Sequence, residues 1–159
     1  MNVRPHRYVT RLRWTGAEHG PTSSYASYSR EYVVEVDGKA PLTGSADAHF
    51  RGDASLHNPE DLLVAALSAC HMLAYLAEAA RAGLEVVGYE DDARGEMTLR
   101  DGAIRFTEVA LHPKVAITDY ARIDEALALH HRAHEQCFIA NSVNFPVDHY
   151  AVVSIAQSA

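Results

Sequence analysis

One stretch, Asn58-Pro59-Glu60-Asp61-Leu62-Leu63-Val64-Ala65-Ala66-Leu67-Ser68-Ala69-Cys70-His71, limits the folds open to this chain more than any other. Asn58 is a good helix N-cap, Pro59 suits the first helical position, and Glu60 and Asp61 place negative charge where the helix dipole favours it. Apolar side chains then occupy every side from Leu62 to Ala69, so this helix must be surrounded by protein. It is predicted to run to about Ala82, with Gly83 as its left-handed stop, and the polar residues from Glu78 to Arg81 carry its end into water. The apolar run from Leu62 to Leu76 is interrupted by Ser68 and His71. It falls short of the roughly 20 residues that a bilayer span needs, so the reading is a buried helix and no membrane partner.

A chain of 159 residues is read as one domain, 1–159, long enough to bury a core without disulfide or metal staples. The formal charge of −7 and the lack of any Lys/Arg cluster exclude a nucleic-acid binder, whose footprint is a basic patch. The opening Met-Asn-Val-Arg-Pro-His-Arg-Tyr lacks the apolar core of a signal peptide, which makes the reducing cytoplasm the expected compartment. There, Cys70 and Cys137 are either two reduced core thiols or a redox couple.

Around the helix the patterns are mostly those of strands. Residues 7–15 alternate, and 25–36 resume the alternation with Tyr32, Val34 and Val36 on one face before the Asp37-Gly38 turn signal. Residues 43–57 have no periodicity and form a loop that ends at the helix cap. Strands are expected over 85–91, 94–100 and 103–115, with Asp101-Gly102 turning the chain and Pro113 marking an edge at the far end of the last. Thr118-Asp119 caps a second, amphipathic helix with Ile123, Ala126, Leu127 and His130 on one face. A closing strand, 147–156, is apolar on both sides, and the order of elements is that of an α+β domain.

A cysteine in a buried apolar helix is inert by itself, because desolvation favours the thiol over the thiolate. Glu60 lies about 15 Å along the helix axis from Cys70 and about 80° around it, so the two cannot touch on one straight helix. Any joint catalytic use of them calls for a second chain or a bent entry to the helix. His130, His134 and Cys137 stand at spacings that let them face one metal, but three nearby ligands on one helix are a weak signal, and the reading is a solvated helix face with no metal. Tyr25, Tyr28 and Tyr32 read as an aromatic surface that is either core or cavity lining.

The segment Asn58-Pro59-Glu60-Asp61-Leu62-Leu63, followed by Ala65-Ala66-Leu67-Ser68-Ala69-Cys70, resembles the signature of the OsmC/Ohr family of thiol-dependent peroxidases. The later Cys137-Phe138-Ile139-Ala140-Asn141-Ser142 is similar to that family's second-cysteine motif. The resemblance implies an intertwined homodimer, its central helices wrapped by antiparallel sheets, that reduces organic hydroperoxides to alcohols and binds no cofactor. Cys70 takes the part of the peroxidatic thiol, Cys137 that of the resolving thiol, and Glu60 that of a carboxylate orienting an arginine. The arginine is Arg51, in the loop before the helix, with Arg30 as the rival cation. A dithiol of the lipoyl type, on a lipoylated protein or a small molecule, is the implied reductant. The chemistry is coherent: a guanidinium cannot surrender its proton to the thiolate, and a carboxylate grips it with two parallel hydrogen bonds.

Two residues depart from the pattern. Phe138 stands where the family often has proline, and His71 where it often has an apolar residue. They keep open a second function on the same scaffold, a redox sensor or apolar-ligand binder with little turnover.

Overall fold

The structure is a computed structural model and describes residues 4–156. It has two α-helices and nine short strands in three small sheets, an α+β fold. The chain divides into two compact units, Met1–Leu62 and Leu63–Ala159.

In the first unit, β1 (Arg11–Trp14), β2 (Tyr32–Glu35) and β3 (Leu42–Gly44) form an antiparallel meander in that order. The alternation read over 25–36 is strand only from Tyr32, because residues 25–31 bend around the Arg30 side chain, whose guanidinium donates to the carbonyls of Tyr25 and Tyr28.

Helix α1 (Pro59–Arg81) forms as its termini dictate. Asn58 Oδ1 accepts from the N–H of Asp61 at 2.7 Å, and Gly83 at φ +65° ends the helix with paired bonds from Gly83 to Ala80 and from Leu84 to Ala79. At 23 residues α1 is longer than the apolar run within it and by length and composition alone could cross a membrane. Its Leu67, His71, Tyr75, Glu78 and Ala79 are nevertheless buried within the chain, which makes it a core helix. Ala65, Ala69 and Leu73 remain exposed, so a single chain does not surround α1 on every side.

In the second unit β4 (Val86–Asp91), β7 (Pro113–Ile117) and β9 (Val152–Ile155) form one sheet, and β5 (Arg94–Arg100), β6 (Ala103–Leu111) and β8 (Val147–His149) another. The runs expected as single strands over 103–115 and 147–156 are each split between the two sheets. Pairing keeps one register across the break, with Leu111 opposite His149 before it and Lys114 opposite Val152 after it. Pro113, which has no N–H to donate, sits at the bend. It marks a change of sheet and not an edge, since β6 and β7 each have partners on both sides. The sheets are also not all antiparallel: β6 with β8 and β7 with β9 are parallel, as the helical crossover between β7 and β8 allows.

That crossover is α2 (Ile123–Gln136), preceded by a turn that Asp119 caps by accepting from the N–H of Ala121. Its buried face is Ala126, Leu129, His130 and Ala133, while Leu127 turns outward. Two clusters make the core. Tyr75, Ala79, Leu84, Val115, Ile117, Ala126, Leu129 and Ala133 form one, and Leu67, Val109, Leu111 and Val147 the other. Glu78, expected in water, is 1% exposed because Arg81 and Arg132 hold its two carboxylate oxygens at 2.5 and 2.6 Å.

Candidate thiol site

Cys70 lies half-buried in the middle of α1, and Cys137 is the buried residue that caps the C-terminus of α2. Both are free thiols. The backbone turns at Cys137, its N–H bonded to the His134 carbonyl at 3.2 Å, and the N–H of Ala140 points at its sulfur from 3.5 Å. Burial pushes the Cys137 thiol up to about 11, a hydrogen bond and charge from Cys70 add to the rise, and the N–H groups of Ala140 and Ile139 pull the other way without prevailing. Cys70 is thus among the groups that act on the Cys137 thiol, and burial keeps the proton on Cys137 at neutral pH. One half-exposed sulfur beside a buried, protonated one suits stepwise oxidation to a disulfide.

Beside the thiols in sequence stands a group of imidazoles. His71 on α1 and His130 on α2 are fully buried, with His71 Nε2 and His130 Nδ1 3.0 Å apart. Burial first, and neighbouring histidines second, hold His71 at about 4 and His130 at about 3, so both rings are neutral at pH 7. His149 lies 5.3 Å from His71 and 5.8 Å from His134 between ring centroids, and Tyr75 stacks on His130 at 4.0 Å. His149 and Tyr89 were not singled out from sequence. The only sign of His149 was its place on the inward side of an alternating run.

His130, His134 and Cys137, the weak alternative for a metal, are not brought together as ligands. His130 points at His71, and among the described residues no group of three or more His, Cys, Asp or Glu side chains is placed to hold a metal ion.

The first unit carries the other expected groups. A pocket of about 370 Å³ is lined by Trp14, Thr22, Tyr28, Arg30, Tyr32, Ser45, Ala46 and Pro59. The Arg30 guanidinium lies 3.9 Å from the Tyr28 ring centroid and 4.9 Å from that of Tyr25, an aromatic bracket for a cation. Gly44 lies under Tyr32, where an added Cβ would come within 2.4 Å of the phenol. Glu60 has a buried Oε2 without a hydrogen-bond partner, and its charge, after burial, raises the Tyr32 phenol. Arg51 is exposed and adopts φ +65° at the end of a short turn; it does not line the pocket. Trp14, Thr22 and Ser45 gave no sign of a site role in the sequence.

A family model described as OsmC-like protein matches residues 52–150. An OsmC-like protein of unknown function from Vibrio cholerae is 31% identical, with 93% of this chain and 100% of that one covered and a TM-score of 0.85. An organic hydroperoxide resistance protein from Elizabethkingia anophelis shares the fold at 22% identity, covering 96% and 100% of the two chains, with a TM-score of 0.67. The organic hydroperoxide resistance protein OhrB of Bacillus subtilis does so at 19% identity, covering 94% and 98%, with a TM-score of 0.59. No curated protein sequence matches the chain.

Proposed function

Since the chain belongs to the OsmC-like family, we propose that it is a peroxidase that reduces organic hydroperoxides to alcohols with its own two thiols. The observation that supports this reading is a pair of free thiols, a half-buried Cys70 within α1 and a buried Cys137 at the end of α2, with Cys70 adding to the rise that burial gives the Cys137 thiol. In the first step the Cys70 thiolate attacks the terminal peroxide oxygen. The O–O bond breaks, Cys70 becomes a sulfenic acid, and the departing alkoxide takes a proton to leave as alcohol. In the second step the Cys137 sulfur displaces the sulfenic hydroxyl, which leaves as water with the Cys137 proton, and an S–S bond forms. A lipoyl-type dithiol, on a protein or free, then exchanges into the disulfide, returns both thiols and is itself oxidised.

The cation that favours the thiolate and polarises the peroxide is Arg30 rather than Arg51. Arg30 lines an aromatic pocket suited to an apolar hydroperoxide, while Arg51 is exposed in a turn. Glu60, with its buried and unpartnered oxygen, is the carboxylate to orient that guanidinium. The exposed apolar residues Ala65, Ala69 and Leu73 of α1 support assembly as a homodimer. A reducing, cytoplasmic compartment fits a pair of thiols that must be reset.

The test is turnover of cumene hydroperoxide with dihydrolipoamide as reductant. Cys70→Ser is expected to lose it, and undiminished turnover by that variant would overturn the proposal. A second reading, binding of an apolar ligand with little turnover, is supported by the lining of Trp14, Tyr28 and Tyr32. It predicts tight binding of an apolar ligand in the same assay and no consumption of peroxide.

A further inference from the structure

The two thiols ride on two helices, and a hydrogen bond between two fully buried side chains joins those helices in the core. His71, on α1, directly follows Cys70; His130, on α2, lies seven residues before Cys137 on the same buried face. Their rings are nearly coplanar, 7° between planes, with centroids 5.3 Å apart and facing nitrogens 3.0 Å apart. The rings thus meet edge to edge, with the two nitrogens aimed at each other and not at a shared third point. This is one N–H···N hydrogen bond between neutral imidazoles.

As a source of stability the pair is a poor choice. The outer nitrogens, His71 Nδ1 and His130 Nε2, are buried without partners among the described residues, and each such group costs free energy that two apolar side chains of similar shape would not. What a directional bond supplies, and apolar contacts such as those of Ala126, Leu129 and Ala133 do not, is a register between the helices. Register matters here. A slip of one helical turn would move Cys137 by about 5.4 Å along α2. That is as large as the whole Cα separation, about 4.4–6.8 Å, that a disulfide tolerates.

We infer that the His71–His130 hydrogen bond is a positioning device that sets α2 against α1 so that Cys137 meets Cys70. The inference rests on the reading of the two cysteines as a redox pair, though not on the identity of the oxidant. Tyr75 supports the device: its ring stacks on His130 and its hydroxyl donates to the Ala126 carbonyl at 3.1 Å, a second tie between the same helices.

The test is the equilibrium between the full-length protein and glutathione at neutral pH. In it, two protein thiols and one oxidised glutathione give the Cys70–Cys137 disulfide and two reduced glutathiones. The double variant H71L/H130L removes both orphaned nitrogens of the pair, so it is expected to fold with a melting temperature at or above that of the parent. Its exchange constant is expected to fall about tenfold, the change that one lost hydrogen bond of ordinary strength produces. H130N keeps an amide at the Nδ1 position and is expected to retain the parent's constant. A double variant with the parent's constant, or a folded H130N that loses as much as the double variant, would overturn the inference. A parent that closes the disulfide against glutathione but ignores hydroperoxides would overturn the peroxidase reading alone, and the ratio between variants would still decide the positional one.

Discussion

The two compact units are built on different principles. Among the described residues every fully buried hydrophobic side chain lies in the second unit, from Leu67 to Val147. The first unit buries only Gly16, Gly44 and Ser45, and it is ordered by hydrogen bonds such as that from Trp14 Nε1 to the Ser29 carbonyl and the pair that Arg30 donates. The second unit thus carries both cysteines on a packed frame. The first presents a cation and an aromatic pocket on bent loops. On the proposed reading, the chemistry that depends on sulfur to sulfur geometry falls to the frame and recognition of an apolar substrate to the loops.

The sharpest way to break this contrast is a pair of truncations. Leu67→Ala, in the core of the second unit, is expected to cost about 2–5 kcal/mol in urea unfolding, whereas Leu12→Ala, on an exposed strand of the first, stays within about 0.5 kcal/mol. Equal losses would show that the two units do not differ in this way.

Acid offers the next largest effect. The folded values of His71 and His130, about 4 and about 3, lie below the ordinary 6.5, so the unfolded chain binds protons that the folded one refuses. Stability is full above pH 6.5 and falls as the pH drops through the window down to about 4, by a loss on the order of 3 kcal/mol for His71. Denaturation midpoints across that window check this, and in H71L/H130L the part of the loss due to His71 and His130 should vanish, with that of His149 left.

In the first unit the arginines provide the comparison. Arg30→Ala is expected to lower kcat/KM for cumene hydroperoxide by about a hundredfold, the usual scale for one lost electrostatic contact to a reacting group. Arg51→Ala should leave it within about twofold, since an exposed loop side chain rarely matters more. The reverse order would return the role to Arg51. A modest loss is expected at the start of α1, where Asn58→Ala removes the cap on Asp61 and costs about 1 kcal/mol in thermal unfolding.

Features governed by neighbours in the chain were legible in the sequence. Asn58 caps α1, Gly83 ends it, and Asp101-Gly102 turns β5 into β6, because each acts through backbone groups a few residues away. The signature around Cys70 was legible for the same reason. The bend at His112–Pro113 was not, since which sheet a residue joins depends on strands distant in sequence. Glu78 reads as a surface residue until Arg132 arrives from α2, and the His71–His130 bond joins residues 59 positions apart. Periodicity found the buried side of α2 through Ala126 and His130, but it took Leu127 for Leu129 because both lie near the border of that face. Arg30 and Arg51 sit in irregular segments, where no periodicity says which side chain faces a pocket.

The central claim, that the two sulfurs of the second unit carry the redox chemistry, is tested most directly by treating the reduced protein with one equivalent of cumene hydroperoxide and mapping its peptides by mass spectrometry. The account predicts a disulfide joining the Cys70 and Cys137 peptides in the parent, and a sulfenic acid trapped at Cys70 in Cys137→Ser. Two thiols left free, with the peroxide unspent, would contradict it.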